Sequence, residues 1–488
     1  MTDTELIPPN SQEKQPIKPE RESCAGPSTA KSYSFYLRSL IDFAIPAILT
    51  SMTWSMQGLI STYFAGRLNN VVLLDAISLG SSWSEIFGFS FICGVTGAEG
   101  TFVSQSFGKK DYRACGLMMN RAMAIVWATA VPCAVFLAFS RPIFLWVGIE
   151  PEVAKYSFYY TLVMIPNLFI SGSIVVVNWF MQSQRIVTPG LVIEAINACL
   201  HPLYCYIFMF DLDWGYIGCA LARYTGNFVC IIGLVVYLRY SGRCKDTLVF
   251  PTFRDVFCGW GEYFSIAIPA TLMGCLEWWG MEIINLMCGR LGIVELAANT
   301  ISIKILSFAS LFCSGIGSAT LTYVGNSLGA KSACDARAYS IVGVALTLVS
   351  ALSLGGLMLL LRSFLAGLFT SDLEVIELMK TVIFIIAVYE LFDGVHVTLG
   401  CILEGMGRQA RASVINLFAY YALMIPIALV AAFWLNLGIY AIWISYLSSS
   451  IFVCAGFTYL IRKEDWKTLL AEVENRGKED ETADAIGV

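Results

Sequence analysis

Charged side chains are scarce in this chain of 488 residues: they make up 14% of it, against about a quarter in soluble domains. With 57% hydrophobic residues, there is too little polar side chain to clothe a water-facing surface. Other absences narrow the function. The opening MTDTELIPPNSQEKQPIKPERES has no apolar core, so it is not a signal peptide. Residues 1–37 are expected to be a disordered cytosolic tail, leaving targeting to the first span. No GxxxxGK[ST] occurs, which leaves ATP-driven pumping within this chain unsupported. HExxH and paired Cys-His clusters are missing too, which argues against an intramembrane enzyme. No basic stripe with interleaved aromatics suggests a nucleic-acid partner, and the net charge of −5 is uninformative on that point. None of the sixteen cysteines falls in a predicted external loop, so they read as small buried hydrophobes, not disulfides or a metal site.

What the chain does have is long apolar runs. Twelve recur, near 40–62, 74–97, 119–139, 159–180, 190–210, 216–238, 263–288, 296–322, 338–361, 380–403, 413–434 and 438–461. Each is long enough to cross about 30 Å of hydrocarbon as a helix. The expected fold is an all-α membrane protein with about twelve transmembrane helices. An even number of spans puts both tails on one side. Loops on that side carry thirteen Lys and Arg, from Lys109 to Arg411, against six opposite, which places both termini in the cytosol. Near the C-terminus, Trp466, Leu469, Leu470 and Val473 follow helical spacing. They fit either a short helix on the membrane surface or a loosely ordered tail.

An internal repeat organises the runs. FAIPAILTSMTWSMQGLISTYFAGRL from Phe43 aligns without a gap with IAIPATLMGCLEWWGMEIINLMCGRL from Ile266, at an offset of 223. VSQSFGKK from Val103 matches VGNSLGAK from Val324. Residues 38–238 therefore form an N-lobe of six spans, 239–262 a cytosolic linker, 263–462 a C-lobe of six spans, and 463–488 a cytosolic C-terminal tail. Both lobes start on the same side, so they are parallel repeats about an axis along the membrane normal, with a central cavity between them. That is a transporter's architecture, and rocking of the lobes would give alternating access.

The repeat isolates the unusual residues. A carboxylate at mid-span costs about 2.5–3.5 kcal/mol when ionised and usually faces a cavity or a partner. Glu277, Glu282, Lys304, Glu390 and Asp393 all fall within spans of the second half, and Glu85, Glu99 and Glu194 within the first. Glu277 aligns with Trp54 and Asp393 with Ile170, so only the second lobe carries a charge at these two places. A carboxyl in a half-dry cavity can load and release a proton near neutral pH. His396, three residues after Asp393 on the same helix face, either relays a proton or bonds a neighbouring carbonyl. Trp278 either offers its π face to an organic cation or packs as an ordinary aromatic.

AIPATLMGCLEWWGMEI, GRLGIVELAANTI, VGNSLGAK, VSQSFG and FDGVHVTLGCILEGMGRQ together resemble the multidrug and toxic compound extrusion (MATE) family, eukaryotic branch, over residues 38–462. The resemblance implies a secondary antiporter that expels amphipathic organic solutes and xenobiotics in exchange for protons, with no cofactor and no obligate protein partner. Its partners are small organic solutes and the lipid bilayer of the plasma membrane or an acidic endomembrane compartment. A sodium-coupled member is the nearest alternative. A lipid-linked precursor flippase of the wider superfamily, or a receptor-like protein that has lost transport, is the alternative from another class. The seventh-span acid is here Glu277, the tenth-span acid Asp393, and Glu282 falls on a further acidic position. Lys304 stands where animal members are usually acidic, Glu85 where the family has Asn, and Gly100, with Glu99 one place early, where it has an acid. An unpaired ammonium in a membrane cavity is costly. Lys304 is therefore expected to pair with one of Glu277, Glu282 and Asp393, first of all Glu277 or Asp393, and to weaken any preference for strong cations.

Overall fold

The computed structural model describes residues 32–249, 251–370 and 372–476; the N-terminal segment expected to be disordered lies mostly outside them. All regular structure among the described residues is helical. That follows from the apolar runs: inside lipid every backbone N–H and C=O must be satisfied within its own segment, and a helix does this.

The N-lobe holds α1 (Tyr33–Gly66), α2 (Val71–Lys109), α3 (Tyr112–Ala138), the short α4 (Ser140–Val147), α5 (Pro151–Ser183), α6 (Thr188–Asp211) and α7 (Gly215–Tyr240). A linker containing α8 (Phe253–Phe257) leads to the C-lobe. There α9 (Trp260–Cys288), α10 (Ile293–Gly329), α11 (Ala333–Leu360), the short α12 (Arg362–Phe369), α13 (Leu373–Met406), α14 (Gln409–Trp434) and α15 (Ile439–Lys463) repeat the pattern. The last element, α16, spans Trp466–Asn475. Twelve of these helices are long. Among the described residues ten are apolar enough over a sufficient length to cross a membrane, and α9 and α13, with 29 and 34 residues, complete the set.

Helix ends follow local chemistry. Asn70, Asp111 and Ser332 cap α2, α3 and α11 by accepting hydrogen bonds from the backbone N–H groups of Leu73, Ala114 and Asp335. The duplication persists in irregular detail. Pro46 inside α1 and Pro269 inside α9 are 223 residues apart, as are the wide-turn segments Ile207–Asp211 and Val430–Trp434 that close α6 and α14. The short α4 and α12 occupy corresponding places and leave Trp146 and Phe364 exposed, which suits the headgroup zone.

The lobes meet on the side where the described chain begins and ends, called here the tail side. The contact is an exchange. Tyr36, Leu40 and Phe43, from the start of α1, are buried in a C-lobe cluster with Tyr323, Tyr339 and Leu403. Tyr263, Ile266 and Ala267, from the start of α9, are buried in an N-lobe cluster with Phe102, Ile125 and Phe180. Between them the ends of α2 and α10 touch through backbone. A Cβ on Gly108 would overlap the Asn326 carbonyl, and one on Gly329 would overlap that of Gln105. The amides beside these glycines cross between the lobes: Gln105 Nε2 donates to the Gly405 carbonyl at 2.9 Å and Asn326 Nδ2 to the Ser183 carbonyl at 3.2 Å. The matching VSQSFGKK and VGNSLGAK segments are thus the two faces of one junction.

Helix α16 adds a strap to that junction. Trp466, Leu469 and Val473 are buried in the C-lobe cluster, so the amphipathic face seen in the sequence packs on protein and neither lies on a membrane surface nor stays loose. Arg408, just past α13, donates to Glu464 and to Glu472 Oε2, the latter at 2.6 Å. Arg476 Nη1 donates to Gln105 Oε1 at 2.9 Å, and Lys109 Nζ to the Arg476 carbonyl at 2.9 Å, joining the strap to the N-lobe. The Arg408 guanidinium holds the Glu472 carboxyl below its usual value of 4.5. A depressed acid stabilises the docked strap fully above that value and loses its contribution as pH falls through the lowered one.

Two outcomes are expected. Gly108→Ala and Gly329→Ala should each lower the melting temperature of the purified protein, at a cost of about 1–3 kcal/mol for overpacking. Gly356→Ala, with nothing within 4 Å of its Cβ, should not. Arg408→Met should speed amide hydrogen exchange across residues 466–475, and acidification below about pH 4 should do the same to the parent chain.

Candidate functional site

The lobes are joined at the tail side and along α2 and α9, where Cys275 Sγ lies 3.8 Å from Ser90 Oγ and the Phe91 and Trp279 rings meet, and room remains between them beside that seam. A cavity of about 230 Å³ lies there, walled by α2 and α5 from one lobe and by α9, α13, α14 and α15 from the other. Small residues keep the helices from filling it: Gly94, Gly97, Ala270, Gly274 and Gly400 all face it. Trp179, Trp278 and Phe457 supply aromatic surface, and Ser90, Asn416, Glu277, His396 and Glu404 the polar groups.

Glu277, His396 and Asp393 form one cluster. His396 Nε2 lies 3.8 Å from Glu277 Oε2, and His396 Nδ1 lies 3.8 Å from Asp393 Oδ1. Helix α13 sets the second pairing, since positions three apart share a face, and packing of α9 beside it brings Glu277 to the other ring nitrogen. Tyr389, one turn before Asp393, donates to Asp393 Oδ1 at 2.8 Å. Tyr420, fully buried on α14, stands beside Glu277. Exposure differs usefully: the Asp393 and His396 side chains are 7% and 5% exposed, Glu277 20%. Glu277 is therefore the most open member; His396 also lines the cavity, and Asp393 lies behind them. One ligand atom from each of the three lies within 4.8 Å of the others, so the cluster can hold a proton between two acids or a small cation. Neither carboxylate is taken up by a lysine or arginine within ion-pair distance among the described residues.

The remaining sequence candidates scatter. Trp278 is half-exposed on the cavity wall. Glu282, five residues beyond Glu277, turns to another face of α9 and is exposed. Lys304 does not pair with Glu277 or Asp393. It is exposed, and the acid it faces is Glu282. Helix rotation is the reason: Glu282 and Lys304 point away from the stripe that carries Glu277. Glu390 is fully buried inside the C-lobe, where its Oε1 accepts from Cys313 Sγ at 3.5 Å, so it does not reach the cavity. Glu85 lies in the N-lobe, where Arg223 donates to it at 3.2 Å, and the Arg223 guanidinium also sits 5.7 Å from the Trp54 ring centre. Glu194 is buried in the same lobe between Gln57 Nε2 and Cys230 Sγ, at 3.3 and 3.1 Å. Glu99 is wholly buried, and neither of its oxygens has a partner among the described residues. Each lobe thus has its own polar interior, and only that of the C-lobe opens on the cavity.

Sequence reasoning missed Tyr389, Tyr420, Asn416 and Glu404. Helical spacing carried a signal for two of them. Tyr389 is four residues before Asp393, and Glu404 is two four-residue steps past His396 on the same stripe.

Comparison with known proteins agrees with this architecture. The sequence model of the MatE family matches residues 46–207 and 269–430, two blocks offset by the same 223 residues as the internal repeat. Multidrug and toxin extrusion protein 2 of Mus musculus is 30% identical over 92% of this chain and 78% of its own length. Protein DETOXIFICATION 12 of Arabidopsis thaliana is 28% identical over 91% of this chain and 92% of its own. Among solved structures, that of the eukaryotic MATE transporter AtDTX14 superposes with a TM-score of 0.86 at 25% identity, covering 91% of this chain and 99% of the other. An outward-facing multidrug-resistance MATE transporter superposes at 0.79 with 15% identity, which speaks for the fold alone. With a duplicated twelve-helix fold, an inter-lobe cavity and both halves matched, the chain belongs to the MatE family of multidrug and toxin efflux transporters.

Proposed function

We propose that this transporter expels amphipathic organic solutes with a cationic head in exchange for protons, from a cytosol that holds both termini. The reading rests on the cluster of Glu277, His396 and Asp393. Two carboxylates from separate helices flank one imidazole at the edge of a cavity whose lining includes no lysine or arginine. In the exchange, protons and cargo compete for the same charge. With Glu277 and Asp393 ionised, the cavity edge is negative and attracts a cation, while Trp278 offers it an aromatic face. Protons arriving from the far side neutralise the carboxylates, and the cation leaves. Closure at the tail side, as described above, suits that release step, and rocking of the lobes returns the protonated site to the cytosol. A cavity lining without lysine or arginine is also a poor grip for lipid phosphates, which weighs against a flippase.

Sodium coupling is the second reading. Three ligand atoms within 4.8 Å can enclose a small cation as well as a proton. Uptake into proteoliposomes with an imposed pH gradient, with and without sodium, separates the two. Proton coupling predicts accumulation of tetraethylammonium-type cations that follows the pH gradient and ignores sodium; dependence on sodium at constant pH would overturn it. Glu277→Gln is expected to keep the fold and abolish pH-driven exchange. Asp393→Asn should cut transport far more than Glu194→Gln, because Glu194 is sealed inside the other lobe. Equal losses from these last two variants would move the coupling site out of the C-lobe.

A further inference from the structure

The cavity has a second carboxylate that the coupling cluster leaves unused. Glu404 lines it at the tail-side end, while Glu277 lines it nearer mid-membrane. Along α13 the cavity-facing residues His396, Gly400 and Glu404 recur every four positions, so they form one stripe with Glu404 at its end. Eight residues of helix separate His396 from Glu404, a rise of about 12 Å. Between the two ends the wall is mostly apolar, with glycine and alanine beside Cys93, Met273, Val397, Cys401 and Trp179, which makes an apolar slot.

The Glu404 carboxylate has no protein partner among the described residues. Its backbone carbonyl accepts from Thr101 Oγ1 at 2.7 Å and from Gln409 Nε2 at 3.4 Å, but the side chain makes no hydrogen bond or ion pair. The basic residues around the end of α13 are committed elsewhere. Arg408 holds Glu464 and Glu472, and Arg476 holds Gln105. An acid placed in an apolar slot within the membrane, with every neighbouring cation turned away, is costly unless something else supplies positive charge. Glu277 faces the same slot from its other end and likewise meets no lysine or arginine.

We propose that Glu404 is a second anionic anchor for cargo, so that the slot favours elongated dications with one positive centre near Glu277 and the other near Glu404. This deepens the reading of the cavity as an organic-cation site and rests on it. Glu277 lies beside His396, so the rise of about 12 Å from His396 to Glu404 sets the scale of the span between the anchors, which suits a linear bis-ammonium compound with an apolar middle. A monocation of the same length engages Glu277 and leaves Glu404 unmatched, so the second charge sets selectivity without being needed for binding.

The test compares octamethylene bis(trimethylammonium) with octyltrimethylammonium, which has the same chain and one charge. Equilibrium binding to the purified full chain and uptake into proteoliposomes are both measured. For the parent chain the dication should bind roughly tenfold more tightly than the monocation, the scale of one charge-assisted contact. Glu404→Gln, which keeps size and leaves the backbone bonds in place, should remove most of that advantage while changing monocation affinity less than about twofold. Glu404→Asp should retain a preference for the dication. Equal losses for both compounds in Glu404→Gln, or an unchanged ratio, would overturn the proposal. If neither compound moves with the pH gradient in the parent chain, the coupling reading fails, and the binding ratio still decides the role of Glu404.

Discussion

Everything in this molecule hangs on two helix ends that approach until only glycine fits between them. Where α2 and α10 finish, Gly108 and Gly329 bring backbone against backbone, and the amides of Gln105 and Asn326 stitch each end to the opposite lobe. Because the lobes are pinned there, they can splay elsewhere, and the splay makes the cavity. The slot is possible for the same reason. Its wall includes glycine and alanine at heights where larger residues would have sealed the lobes together. The junction also fixes depth. Glu404 precedes Gly405, whose carbonyl takes the Gln105 bond, so the deepest acid of the cavity is held by the same contact that closes it.

Scaffold and chemistry obey different symmetries. Prolines, wide helical turns and short interfacial helices repeat between the halves, because each serves the same structural task in both. The polar interiors do not repeat. The N-lobe pairs Glu85 with Arg223 and holds Glu194 between Gln57 and Cys230, while Glu99 is buried with no partner among the described residues. The C-lobe leaves Glu277 and Glu404 facing open space. Tyr446 stands at the place equivalent to Arg223, so the duplicated position that answers an acid in one half is a phenol donating to the Met281 carbonyl in the other.

The sequence made the spans readable because lipid allows so few backbone solutions, and the repeat readable because helix lengths were kept on duplication. Glu277 and Asp393 stood out as charges in apolar runs without a counterpart in the other half, and they do share one cluster. What residue identity could not convey was rotation about the helix axis. Glu390 is three residues from Asp393 yet points into the lobe, and Lys304 lies on a suspected span yet faces Glu282 away from the slot. Glu404 went unnoticed because it sits in LEGMGRQ, close to a helix end, where an acid reads as ordinary polar punctuation. The strap was visible as an amphipathic pattern, but its apolar face has the same periodicity whether it meets lipid or protein. Arg408 settles the matter through Glu464 and Glu472, a partnership across more than fifty residues that no local pattern reveals.

The exchange of first helices has an implication for descent. The start of α1 completes the core of the second half, and the start of α9 completes that of the first. A lone six-helix unit would therefore present an unfilled groove together with the very helix that fills it. Only a second copy in the same orientation could satisfy both at once, by the reciprocal contact of a two-fold dimer. Fusion of two such genes would preserve the reciprocity while freeing each copy to mutate alone, and one half could then lose its charges to internal pairing while the other kept them facing the cavity.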